Sequence, residues 1–139
     1  MSKEVEIVEN LPPEGIYEIC QKKFGVDFRR GVAFPYGNKI YLFRKDMMTP
    51  DLLVHEKTHI EQQKQFKSPK EWWNKYLSDS SFRLGCEIEA YQNQWKFVEE
   101  NYNRKDRRGL LEHMSKLLSG RMYGSLIKKR EAKNLILNY

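Results

Sequence analysis

The longest regular pattern lies over residues 81–102, where Leu84, Ile88, Tyr91, Trp95, Val98 and Tyr102 recur at alternating spacings of four and three. That is the period of an amphipathic helix with one apolar stripe. An earlier helix is predicted from Thr49 to about Phe66, because Thr49-Pro50-Asp51 supplies an N-cap residue, a proline at the first helical position and an acid in the first turn. Ser68-Pro69-Lys70-Glu71 repeats that start with capping-box spacing and opens a short helix carrying Trp72, Trp73 and Tyr76. Residues 106–118 predict a further helix, with Leu110, Leu111, Met114, Leu117 and Leu118 as its stripe and Gly120 closing it; one more short helix is expected over residues 129–136. Near the start of the chain, Pro13 is expected to open a helix running to Phe24, with Ile16, Ile19, Cys20 and Phe24 on one face and Gly25 as its stop.

Strand signals are confined to the first third. Residues 5–8 alternate acidic and apolar side chains, and residues 26–34 and 39–44 are rich in Val, Phe, Ile and Tyr. The latter pair flank Pro35-Tyr36-Gly37-Asn38, which reads as a β-hairpin. The expected class is therefore α+β: a small antiparallel sheet or hairpin packed on the helix that follows it, then a mostly helical C-terminal half. With no internal repeat and only short linkers, residues 1–139 are expected to form a single domain.

Composition narrows the function classes. Hydrophobic residues make up 40% and aromatics 13%, enough apolar surface to exclude a wholly disordered chain. No apolar run approaches the roughly 20 residues of a membrane helix, and acidic residues stand where a secretory signal would be basic and then apolar, so a cytoplasmic location is expected. Cys20 and Cys86 are too few for a disulfide framework or a four-cysteine zinc cage, and are expected to be buried free thiols. Trp72, Trp73, Trp95 and Phe97 are expected in the core rather than on a base-stacking platform. The net charge of +6 is unevenly spread, at −1 over residues 1–103 and +7 over residues 104–139. A basic stretch of this kind is most often a solvated helix face, and otherwise a footprint for an acidic partner or nucleic acid.

The chemistry is concentrated in His55-Glu56-Lys57-Thr58-His59. Positions i and i+4 share a helix face, so His55 and His59 can aim imidazole nitrogens at one zinc ion from adjacent turns. Glu56 lies about 100° round the same helix, beside the metal, where a carboxylate can take a proton from water whose pKa the metal lowers to about 7. A catalytic zinc typically has three protein ligands, and the downstream choices are His113, Cys86, Glu87, Glu89, Glu99 and Glu100. Glu87 fits best: it borders the apolar stripe one turn before Tyr91, and Ala90 offers a small side chain where two helices must approach closely. Glu89 points away from that face.

The order His55-Glu56-x-x-His59, followed after 27 intervening residues by Glu87-x-x-Ala90, resembles the zincin metallopeptidases, and among them the gluzincins, whose third ligand is a glutamate on a following helix. A hairpin just before the active-site helix is similar to their layout. The resemblance covers roughly residues 26–95 and is to minimal, single-domain members. It implies that His55, His59 and Glu87 hold Zn2+, that Glu56 is the general base and acid, and that the substrate is a polypeptide cut internally. It also implies an oxyanion donor, for which Tyr123 and His113 are the candidates, and an edge strand, expected at residues 39–44, that binds the substrate by strand addition. The sequence departs from the pattern at Tyr91, where many gluzincins place an Asp or other polar residue behind a ligand histidine. With no room for a covering second domain, the cleft is expected to be open and shallow. Two other functions compete: a zinc-binding zincin-fold component without turnover, and a basic nucleic-acid-binding module.

Overall fold

In chain order the elements are β1 (Glu6–Glu9), α1 (Ile16–Phe24), β2 (Phe34–Tyr36), β3 (Lys39–Leu42), α2 (Pro50–Gln63), α3 (Pro69–Ser78), α4 (Ser80–Asn101), α5 (Arg104–Leu118) and α6 (Lys129–Leu137), in a computed structural model that describes residues 4–139. Short 3-10 turns lie at Phe28–Arg30, Lys45–Met47 and Arg121–Tyr123. The class is α+β. No helix among the described residues is long and apolar enough to cross a membrane.

The capping signals place the helices well. The Thr49 hydroxyl accepts from the Leu52 N–H at 3.4 Å, Ser68 from Glu71 at 3.3 Å and Asp79 from Phe82 at 3.0 Å, each satisfying an amide that the first helical turn leaves without an intrahelical partner. Asn103 does the same for Asp106 at 2.8 Å, so α5 begins two residues earlier than its apolar pattern predicts. Helix α1, by contrast, starts at Ile16 instead of Pro13. Glu14 and Gly15 both have positive φ, 62° and 66°, and a helix cannot pass through them. Its buried row is Ile16, Cys20 and Phe24, while Ile19 is 40% exposed.

The sheet departs from expectation in two respects. Its order is β1-β3-β2, with β1 parallel to β3 and β2 antiparallel to it, so the sheet is mixed and residues 39–42 form its centre. Strand β3 therefore has no open edge for a substrate. The segment before β2 is mostly not a strand, because Asp27 accepts from the Arg29 N–H (3.0 Å) and caps a 3-10 turn that Gly31 ends at φ 89°. Pro35 and Tyr36 belong to β2, leaving Gly37 (φ 67°) and Asn38 to make the turn.

The outer edge of β2 is closed by side chains. Gln63 Nε2 and Trp73 Nε1 both donate to the Pro35 carbonyl at 2.8 Å, and the Gly37 N–H donates to Gln63 Oε1 at 2.8 Å. One glutamine amide thus pairs with the strand edge as a neighbouring strand would.

Trp72, Trp73 and Trp95 are buried in the core with Tyr76, Val98, Met114, Leu118 and Ile136, and Phe97 is half-buried. Cys20 and Cys86 are buried free thiols, and burial pushes both up to about 12. Neither is a thiolate at neutral pH.

Candidate metal centre

Helix α2 packs chiefly against α4, and the faces that meet are polar. On α2 the buried positions are Asp51, His55, Glu56, Thr58, His59, Ile60, Gln62 and Gln63; on α4 they include Glu87, Ala90, Tyr91 and Gln94. The buried row of α4 is thus rotated from the stripe its apolar residues predict, and Leu84 and Ile88 are only half-buried. Several of these buried polar groups are satisfied across the helix pair, as Gln94 meets both His55 and Asp51 and Gln62 meets the Cys86 carbonyl. Ala90, fully buried, lets the two backbones come close.

Three groups converge at this contact. His59 Nε2 lies 3.2 Å from His55 Nε2 and 3.0 Å from Glu87 Oε2, and His55 Nε2 lies 3.1 Å from Glu87 Oε1. All three residues are 2–3% exposed. Tetrahedral zinc bonds of about 2.0–2.1 Å separate their ligand atoms by about 3.3 Å, so these three donors stand within a few tenths of an ångström of that spacing. The donor set, two neutral imidazoles and a carboxylate, suits zinc or another first-row divalent ion. Among the described residues the group stops at three donors, which leaves a coordination position free.

Each donor is held from behind. His55 Nδ1 contacts Gln94 Oε1 at 3.0 Å, and Gln94 Nε2 donates to Asp51 Oδ2 at 2.7 Å; the Tyr102 hydroxyl donates to the other Asp51 oxygen at 3.1 Å. His59 Nδ1 contacts Gln62 Oε1 at 2.9 Å, and Gln62 Nε2 donates to the Cys86 carbonyl (3.0 Å) and to Glu89 Oε1 (2.8 Å). The Tyr76 hydroxyl donates to Glu87 Oε2 at 2.6 Å. Burial, reinforced by the charge of Glu87, keeps that phenol protonated far above its ordinary pKa, so it stays a donor. Tyr91 does not take the supporting role expected of its position. Its ring packs edge-on against His55, centroids 4.3 Å apart, and its hydroxyl pairs with that of Tyr123 at 2.8 Å. The support for His55 comes from Gln94, one turn further along α4.

Burial disfavours a charged ring at His59, yet the charge and hydrogen bond of Glu87 overcome it and lift the ring to about 9. Burial likewise resists ionisation of Glu87, and the His59 charge with hydrogen bonds from both histidines holds its carboxyl well below the usual carboxylate range. A metal ligand must be deprotonated, so a metal ion bound here would have to displace the proton on His59. At pH 7.5 zinc uptake is expected to release about one proton per chain, and apparent affinity to rise roughly tenfold per pH unit until about pH 9. Titration calorimetry in buffers of different ionisation enthalpy measures that proton; pH-independent affinity over this range would contradict the assignment.

No family model, curated protein or solved structure matches the chain, so the centre is read from its own geometry.

Glu56 is buried beside the group, and its carboxylate has no hydrogen-bond partner among the described residues. Burial raises its pKa, although the charges of His55 and His59 pull the other way. It lines a cavity of about 320 Å³ together with the three donors. Tyr123 is buried in the cavity wall, whereas His113 lines it from an exposed position on α5. Leu117, Met122 and Tyr123 line the cavity together with Gly31–Phe34.

By pattern alone Gln62 and Gln94 do not stand out from ordinary polar surface, Asp51 reads only as a first-turn acid and Tyr76 only as one of the aromatics of a short helix. The signal is position: Gln62 follows His59, which it supports, by three residues, and Gln94 follows Glu87 by seven and so lies on the α4 face that meets His55. Arg83 was also missed. It is buried, donates from Nε to the Tyr123 carbonyl (2.9 Å) and from Nη1 to the Tyr76 carbonyl (2.8 Å), and so ties both tyrosine-bearing segments to α4.

Proposed function

We propose that the chain is a zinc-dependent metallopeptidase of the zincin type. The observation that carries this reading is the convergence of His55 Nε2, His59 Nε2 and the Glu87 carboxylate, 3.0–3.2 Å apart, on a cavity that also exposes the unpartnered carboxylate of Glu56. A structural zinc site is closed by four protein ligands, while three donors opening on a cavity leave room for water and substrate. When bound, zinc lowers the pKa of a water ligand to about 7 and polarises the scissile carbonyl.

The remaining steps belong to the protein. Glu56 accepts the proton of the attacking water and returns it to the leaving amine. The Tyr91–Tyr123 pair presents phenolic hydroxyls in the cavity, of which one is left free to donate to the developing oxyanion once the other has donated to its partner. Residues Gly31–Ala33 run along the cavity ahead of β2 and lie outside its ladder with β3, so this segment, in place of residues 39–44, receives an extended peptide. Cys20, Phe24, Val26 and Leu52 make the chamber largely apolar and favour an apolar side chain next to the cleaved bond.

The test is zinc content per chain by elemental mass spectrometry, on protein purified without a metal column, followed by hydrolysis of a mixed fluorogenic peptide library. The expected result is one zinc per chain, with hydrolysis removed by chelator and restored by zinc. A chain that takes up no zinc even after reconstitution contradicts the proposal.

A further inference from the structure

We infer that Gln62 and Gln94 are positioning residues of the metal centre, and that both must be amides because each has to accept a hydrogen bond from a histidine and donate one to an obligate acceptor at the same time. The inference rests on the metal reading above and concerns what makes that site selective for the correct imidazole tautomers.

The direction of every hydrogen bond follows from the far end of each chain. Behind His59 stands the Cys86 carbonyl, which can only accept, so the group that meets it at 3.0 Å must be the Gln62 NH2. The Gln62 oxygen therefore faces His59 Nδ1 at 2.9 Å, and that nitrogen must carry the hydrogen. Once the proton that His59 holds against Glu87 is displaced by a metal ion, the lone pair is left on Nε2, the atom turned to Glu87 and His55. Behind His55 the Asp51 carboxylate accepts from Gln94 Nε2 on one oxygen and from the Tyr102 hydroxyl on the other. The same logic puts Gln94 Oε1 against a protonated His55 Nδ1 and the lone pair on Nε2. Two independent relays thus fix a hydrogen on each Nδ1 and reserve both Nε2 atoms for one metal ion, which takes the place of the hydrogen they share with Glu87.

A carboxylate cannot replace either amide. A Glu at position 94 would accept from His55 and then oppose Asp51 across the present 2.7 Å contact with no hydrogen between them. A leucine would fill the space but leave His55 Nδ1 and one Asp51 oxygen without partners in a buried setting. The chain can, however, be reversed: with Asn at position 51, its amide nitrogen donates to a Glu at 94, and its oxygen still accepts from Tyr102.

The experiment compares wild type, Gln94→Leu, Gln62→Leu, Gln94→Glu and the double variant Asp51→Asn/Gln94→Glu. Zinc affinity is read by competition with a chromophoric chelator, and ligand geometry by the visible absorption of the Co2+-substituted proteins; circular dichroism in excess chelator reports the fold without metal. The three single variants are expected to lose about 10–100-fold in zinc affinity and to alter the Co2+ spectrum, and the double variant to recover most of both. A merely structural tie between α2 and α4 would be restored too, but it would show in the circular dichroism of the metal-free single variants and would leave the Co2+ spectrum of the folded protein unchanged. If Gln94→Leu does not fold, the comparison of Gln94→Glu with the double variant decides alone. Wild-type affinity in Gln94→Glu, or no recovery in a folded double variant, overturns the inference while the metal reading stands. A wild-type chain that binds no zinc overturns both.

Discussion

Glu56→Gln is expected to retain one zinc per chain and to lose about 10²–10⁴-fold in peptide hydrolysis, the usual contribution of a positioned general acid and base. The substitution is nearly isosteric and removes only the ability to take and return a proton. It also disturbs little else, because the Glu56 carboxylate has no hydrogen-bond partner among the described residues and does not belong to the three-donor group. Taking an unpaired carboxylate out of a buried position leaves folding stability unchanged or slightly raised. Steady-state hydrolysis of a fluorogenic peptide, with zinc content and thermal unfolding measured on the same preparation, checks all three expectations. Hydrolysis at the wild-type rate in a zinc-loaded variant would remove Glu56 from the mechanism.

Glu87→Ala has the second large effect, on metal and on fold together. It removes one of three donors, and it strips the partner from three buried groups: His55 Nε2, His59 Nε2 and the Tyr76 hydroxyl. Zinc affinity is expected to fall by more than the roughly 10–100-fold that loss of an outer partner costs. Breaking a buried ion pair by deleting one side typically costs about 3–5 kcal/mol, which urea unfolding of the metal-free proteins reads directly. Glu89→Ala is the control. Glu89 is exposed and meets the site only through Gln62, whose amide still has the Cys86 carbonyl to donate to. Zinc retained in Glu87→Ala and lost in Glu89→Ala would reverse the assignment of the donor face on α4.

The helices were legible because capping is local. Thr49 and Ser68 satisfy nearby amides with their own side chains, so a few adjacent residues suffice to mark those two starts, whereas α4 is legible from its apolar period and its Asp79 cap is not. His55, His59 and Glu87 were legible for a related reason, since helical spacing alone puts the first two on one face. The sheet was not. Residues 26–33 have strand-like composition, but one Asp27 side chain and the positive φ of Gly31 redirect the backbone, and no pattern shows that β1 will pair parallel to β3 across 29 intervening positions. The buried face of α4 was misplaced because apolar periodicity assumes an apolar neighbour. Here the neighbour is a polar face of α2, and Glu87 and Gln94 move to the centre while Leu84 and Ile88 move to its border. Within the basic residues 104–139, Glu112 binds Lys129 at 2.7 Å and Lys133 at 3.3 Å, a pairing already counted in the net +7.

The side chains that close β2 bear on the behaviour of the protein at high concentration. An uncovered strand edge is a template on which further chains can stack, and the hazard is greatest for short apolar strands such as Phe34–Tyr36. Pro35 offers no amide hydrogen there, its carbonyl is doubly occupied, and Gln63 also holds the Gly37 amide. The opposite border of the sheet is β1, where Glu6 and Glu9 are exposed and would repel an identical strand laid beside them. Growth of the sheet into fibrils is thus obstructed on one side by hydrogen bonding already spent and on the other by like charge.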